Sequence, residues 1–196
     1  MAATVRLTVL LMLGLALGGC AGAVIGAGAT AGIAAMQERS VGGAIDDAGI
    51  KLGIKDRLLA ASDKLFLTVG VESVEGRVLL TGNVARPEDR VEAGRLAWQV
   101  QGVRELYNEI EVRDRSSLTD YLRDVRISNE LRFKMIADRD VSAINFNVET
   151  VNAVIYLTGI ARDQPELERV TGHARAISGV QRVVSYVVLK NDQRRS

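Results

Sequence analysis

Leu80-Thr81-Gly82 and Leu157-Thr158-Gly159 are one tripeptide written twice, 77 residues apart. At the same offset Gly102-Val103 returns as Gly179-Val180, with no gap between the two landmarks. A fixed period of this kind marks one structural unit used twice. Shifting by the same interval carries the stripe Ile50, Ile54, Leu58 onto Ile127, Leu131, Met135. It also carries Leu67, Val69, Val71 onto Ile144, Phe146, Val148. The first triplet has helical spacing and the second alternates, as a half-buried strand does.

Worked outward, each copy reads α-β-β-α-β. In the first, Asp46-Asp47 is a candidate helix cap and the helix runs through Ala61. Leu65–Val71 and Arg77–Leu80 read as strands about a turn at Glu75-Gly76. Pro87 opens a second helix with apolar positions Val91, Leu96, Ala97 and Val100. Gly102 ends that helix in the manner of an αL residue, and Val103–Val112 is the third strand. In the second copy the helices are expected near residues 119–137 and 164–177. The strands fall near 143–148, 153–157 and 181–189. A right-handed crossover returns the third strand to the hairpin's sheet. The expected fold is α+β: in each copy a three-stranded mixed sheet with two helices on one face. Gly82, Gly102, Gly159 and Gly179 are expected to be structural, with Gly82 and Gly159 at the passage from second strand to second helix.

Length and composition narrow the functions. The chain has 196 residues, 47% of them apolar, and a net charge of +1. Without Arg6, which lies in the leader described next, it is neutral. Duplex nucleic acid needs a basic excess that is missing. Two prolines and 4% aromatics argue against a stacking platform for sugars or single strands. One cysteine, Cys20, and one histidine, His173, leave no disulfide and few routes to a zinc site. No metal, cofactor or catalytic site is expected; His173 reads as a surface or boundary residue.

Residues 1–19 have the charged start, apolar run (Leu7–Leu17) and small residues of a secretory signal. Leu17-Gly18-Gly19-Cys20 resembles a bacterial lipobox, which implies lipid attachment at Cys20. Ala21 follows the anchor where an Asp would favour inner-membrane retention, so the expected destination is the outer membrane, periplasm-facing. Residues 20–43 form a Gly/Ala-rich lipidated tether. Its small-xxx-small spacing leaves open a segment lying on the membrane.

The Leu-Thr-Gly … Gly-Val pattern inside α-β-β-α-β resembles the BON domain. Arg39-Ser40-Val41-Gly42, Asp46-Asp47 and Tyr107-Asn108-Glu109-Ile110 resemble the dual-BON outer-membrane lipoproteins. The boundaries are 44–112 for the first domain, 113–116 for a linker, 117–190 for the second domain and 191–196 for a polar tail. The resemblance implies anionic phospholipid as partner, bound through the first helix of the second domain in support of outer-membrane integrity.

Charge agrees with that asymmetry. Residues 46–112 carry 9 basic and 12 acidic side chains, and residues 117–190 carry 10 and 9. Asp46, Gly49 and Asp56 become Arg123, Arg126 and Phe133. With Ile127, Leu131 and Met135 facing the sheet, the opposite face carries Tyr121, Leu122, Val125, Arg126, Asn129, Arg132 and Phe133. Apolar residues flanked by arginines suit a membrane interface. Packing of Leu122, Val125 and Phe133 on the first domain is the competing expectation. Arg126 stands where related lipid-binding lipoproteins place a tryptophan, with Tyr121 nearby as a substitute anchor. Trp98 is expected in a core or between domains. The alternative function is an adaptor docking an envelope protein complex.

Overall fold

The computed structural model describes Glu38, residues 40–113 and residues 117–195. Cys20, the expected signal and most of the expected tether lie outside the described residues. Helix α1 spans Val41–Ala61. Its cap is Ser40, whose Oγ accepts from the Gly43 N–H at 3.0 Å. The helix therefore starts before Asp46-Asp47, and Asp47 does a different job, given below. A short helix α2, Asp63–Thr68, follows, where a strand was expected from Leu65. Ser62 caps it by accepting from the Lys64 N–H. Lys55 Nζ donates to the carbonyls of Phe66 at 2.8 Å and Val69 at 2.6 Å. Those bonds satisfy carbonyls that the end of a helix leaves open.

Strand β1, Val69–Val74, and β2, Arg77–Val84, form an antiparallel hairpin closed by the pair Val74–Arg77. Both turn residues have positive φ, 52° at Glu75 and 75° at Gly76, as a tight two-residue hairpin loop requires. Helix α3, Pro87–Trp98, begins at its proline. The third strand is split into β3, Glu105–Asn108, and β4, Glu111–Val112, both parallel to β2. Asn108 makes the break: its Oδ1 accepts from the Ile110 N–H and its Nδ2 donates to the Arg90 carbonyl. Ile110 then lies buried in the core.

The second domain repeats the order. Helix α4, Leu118–Ala137, has a complete capping box between Ser117 and Asp120. Ala143–Asn145 forms a 3₁₀ turn where strand was expected. Strands β5, Phe146–Val151, and β6, Val154–Ala161, make the hairpin. Helix α5, Gln164–Arg175, leads to β7, Arg182–Leu189, unbroken and parallel to β6. The two mixed sheets run β1-β2-β3 and β5-β6-β7, with β4 continuing beside β2.

Each domain has its own core. Ile50, Ile54 and Leu58 of α1 meet Ala93, Leu96 and Ala97 of α3 over Val71, Val78 and Leu80. Ile127, Leu131 and Met135 of α4 meet Val170 and Ala174 of α5 over Val148, Ile155 and Leu157. The helices thus cover one face of each sheet. The other faces cover each other. Leu79 packs with Val151, Val154 and Tyr156, beside Tyr107, Val184 and Tyr186. Val74 packs with Ile160 and Val188. The Tyr107 and Tyr186 rings stack at 4.1 Å, and Tyr186 donates to Glu109 at 2.5 Å. The central strands are therefore buried on both sides, which explains their near-continuous apolar runs.

Two constraints recur at the repeat interval. Asp47 is buried and accepts from Ser73 Oγ, the Glu75 N–H and the Gly76 N–H at 2.7–3.0 Å. Asp124 accepts from the Asn152 and Ala153 N–H groups at 2.7 and 2.8 Å. A carboxylate on the first helix thereby fixes the hairpin turn in each domain. The turn of the second domain even holds Asn152 and Ala153 at positive φ, 51° and 62°. Gly82 and Gly159 lie inside β2 and β6, paired with Val69 and Phe146, and so correct the expectation of a strand end. A Cβ at Gly82 would sit 2.0 Å from the Thr68 carbonyl oxygen, and one at Gly159 would sit 2.1 Å from that of Asn145.

Replacing Gly159 by Ala should lower the urea midpoint of unfolding by a loss of at least about 2 kcal/mol, because backbone must move and φ is +141°. Asp124→Ala should cost about 2–3 kcal/mol, since it leaves two buried N–H groups without an acceptor. A surface control such as Arg139→Ala should leave the midpoint unchanged.

Candidate functional site

Helix α4 buries one stripe and exposes the other. Asp124, Ile127, Ser128, Leu131 and Met135 face inward. Ser128 Oγ donates to Thr150 Oγ1 at 2.7 Å, tying the helix to β5. Seven positions of the opposite face were predicted from sequence: Tyr121, Leu122, Val125, Arg126, Asn129, Arg132 and Phe133. All seven are exposed. Phe133 shows 71% of its surface, Leu122 58% and Val125 38%. The competing expectation, packing of these side chains on the first domain, is not met: the first domain is occupied through its sheet. Leu118 and Ile136, both largely exposed, extend the stripe at either end and were not predicted. Their signal was present, since 118, 122, 125, 129, 133 and 136 step by three and four along one helix face.

The flanking cations are held in place. Arg126 donates to the Ser178 carbonyl at 2.6 Å and to Glu130 at 2.9 Å. Arg132 donates to the Val148 carbonyl at 2.6 Å and to Asn129 Oδ1 at 3.3 Å. Both guanidiniums therefore stand at fixed places on either side of the apolar stripe.

Along one side of α4 a groove opens toward the first domain. Tyr121, Val125 and Arg132 form one wall, and Lys55, Leu67 and Thr68 form the other. Glu149 lies in the same groove. Burial pushes its carboxyl up, and the nearby Glu72 carboxylate pushes it further. Glu72 itself is paired with Lys51 at 3.0 Å.

Other expected residues fall elsewhere. Trp98 is not in a core or at the seam; it is 54% exposed on α3. Val91, counted among the apolar positions of that helix, is also exposed, because α3 buries Ala93, Leu96 and Ala97 instead. His173 sits half-buried, 2.7 Å from Asp138, and that hydrogen bond holds the Asp138 carboxyl below its usual range. Among the described residues, no group of three or more His, Cys, Asp or Glu side chains is placed to hold a metal ion. Among them also, no helix is long and apolar enough to cross a membrane.

The first helix of domain one, α1, is exposed on the equivalent face but has a different character. Ile45, Leu52 and Leu59 are exposed there beside the exposed Asp46 and Asp56.

Comparison with known proteins gives a family. The model described as "BON domain" matches residues 46–114 and 123–191. The "Uncharacterized protein in gshII 5'region" of Anaplasma centrale is 40% identical over 152 residues, covering 77% of this chain and 99% of that protein. The "Outer membrane lipoprotein DolP" of Haemophilus influenzae is 33% identical over 184 residues, covering 91% of this chain and 93% of the relative. The "Osmotically-inducible protein Y" of Escherichia coli is 29% identical over 145 residues, covering 73% and 72%.

Glu149 should make stability depend on pH. Its folded carboxyl holds its proton to higher pH than the unfolded one does, so stability falls as pH rises from the ordinary glutamate range through the folded value. Glu149→Gln should therefore unfold at higher urea than the parent at neutral pH. The gap should close below the ordinary glutamate range.

Proposed function

Because the chain belongs to the BON-domain family, with two BON domains in tandem, we propose that it is a lipid-anchored envelope protein whose outer α4 face binds anionic phospholipid and supports outer-membrane integrity. The single observation that carries the reading is the exposed stripe Leu118, Leu122, Val125, Phe133 and Ile136 between two fixed arginines. A helix face that is apolar at its centre and basic at its edges suits a bilayer interface. Each basic residue near an anionic surface adds about 1 kcal/mol. The named relative from Haemophilus influenzae, an outer membrane lipoprotein, supports the same address. Cys20 is the proposed site of lipid attachment. An anchor there would hold a weak surface contact at high effective concentration.

The role proposed is binding without catalysis. Phospholipid needs no cofactor here, and the seven predicted residues of α4 act as a surface.

A second reading has its own observation. The α1 face joins Ile45, Leu52 and Leu59 with acidic neighbours, a composition that an anionic membrane repels and a basic protein surface accepts. An adaptor that docks an envelope complex through α1 would use it.

The two are separated by mixing the soluble body, residues 37–196, with vesicles. Both cores close within residues 40–195, so the body folds without its anchor. It should sediment with phosphatidylglycerol-containing vesicles and not with phosphatidylcholine alone. Phe133→Glu and Arg126→Glu should each reduce that partitioning. Equal binding to both vesicle types, or no effect of either substitution, would sink the phospholipid reading. A protein retained in stoichiometric amount after lipid exchange, and lost with Leu52→Glu, would favour the adaptor.

A further inference from the structure

We infer that the lipid-facing surface is shared by both domains: Leu67, on α2 of the first domain, meets the bilayer together with the outer face of α4. This rests on the phospholipid reading of α4 and extends it across the domain boundary.

Leu67 is the most exposed large apolar side chain among the described residues, at 78%. Alternation in the sequence had made it a strand residue beside Val69 and Val71. In the folded chain it stands on a helical turn outside the core. An apolar side chain so exposed is unremarkable when it is alone. Leu67 is not alone, because it lines the same groove as Tyr121 and Val125. Exposed apolar side chains thus stand on both rims of one groove, on α4 of the second domain and on α2 of the first, where a single surface can meet both.

The turn that carries Leu67 is braced. Lys55 holds the carbonyls on both sides of it, those of Phe66 and Val69. The Lys55 ammonium also lies 5.0 Å from the centre of the Phe66 ring. Ser62 caps the turn at its start, and Thr68 Oγ1 donates to the Lys64 carbonyl at 2.7 Å. The side chain is held out from a fixed support, which lowers the ordering cost of binding.

Charge completes the match. Lys55 and Arg132 occupy the same place in the two repeats, and both line the groove. Each gives donors to carbonyls beside the first strand of its own sheet. Two fixed cations therefore stand between two apolar rims. In an anionic phospholipid bilayer the phosphate groups lie outside the acyl layer, so they can meet the recessed cations while the projecting apolar rims reach the acyl chains; the occupant is an anionic phospholipid bilayer. The acidic groups facing the groove are already engaged or disfavour charge. Asp124 holds the hairpin turn, and burial favours the neutral form of Glu149.

The test uses the soluble body 37–196, which lacks the chain's only cysteine, so that Leu67→Cys carries a single environment-sensitive fluorophore. Emission of the label should shift to the blue on phosphatidylglycerol vesicles and stay unchanged on phosphatidylcholine. Leu67→Glu should lower partitioning about tenfold, as loss of a buried leucine contact predicts, with its urea midpoint unchanged. If Phe133→Glu abolishes binding while Leu67→Glu binds like the parent and the label does not shift, the shared surface is overturned and the α4 reading stands. If the parent itself shows no preference for phosphatidylglycerol, both fall. If the label shifts but Leu67→Glu binds like the parent, Leu67 lies near the bilayer without contributing to binding, and the inference is overturned.

Discussion

A three-stranded sheet with helices on only one side must find a cover for the other side. Here the cover is its twin. Leu79, Tyr107, Val151, Tyr156 and Tyr186 close the space between the sheets, and Glu109 receives the Tyr186 hydroxyl at the same seam. Burial gives the seam its strength, at roughly 25 cal/mol per Å² of apolar surface removed from water. The arrangement of everything outside follows. Because the inner faces are committed to each other, all four main helices look outward, and none of them is needed to join the domains.

This explains how two copies of one fold can present different outer surfaces. The inner faces carry a shared duty and are similar in character: Leu79 corresponds to Tyr156, and Val74 to Val151. The buried Asp47 and Asp124 serve the same turn in both. The first helices of the two domains diverge most plainly on their outer faces. On α1 the outer stripe is bordered by Asp46 and Asp56, whereas the α4 positions at the same interval are Arg123 and Phe133. Physical selection for folding fixes the inside, so difference between repeats is informative mainly outside.

The same division decides what could be read from the chain. The repeat, the element order and the core stripes were legible, because hydrophobic periodicity records burial directly. Seven residues of α4 were found by subtraction, as what remained once Ile127, Leu131 and Met135 were assigned inward. Local chemistry was read less well. Asp47 looked like a cap because acidic residues favour helix starts, but its acceptors are used on a turn 28 residues away. Leu67 looked like a strand residue because it alternates with Val69 and Val71. The Ser62 cap and the reach of Lys55 turn that stretch into a helix, and neither contact leaves a periodic trace. The break at Glu109-Ile110 is likewise made by one side chain, that of Asn108. The pairing of the two sheets was hidden for a different reason: an alternating strand does not say whether its second face meets water or another sheet.

The two ends of the described chain meet at one place. Arg195 grips the Glu75 carboxylate at 2.9–3.2 Å and the Glu38 carbonyl at 2.8 Å. Lys190 pairs with Glu38 at 2.7 Å, and the Glu38 N–H donates to Asn145. Burial pushes the Glu75 carboxyl up, but Arg195 and Arg77 outweigh it and hold the group below its usual range. Glu38 leads directly into the first domain, yet its partners Asn145, Lys190 and Arg195 belong to the second domain and its tail. The mechanical consequence is that a pull on the chain ahead of Glu38 is not borne by α1 alone. The load enters both domains at once, through a knot of ion pairs, before it can peel the first helix from its sheet.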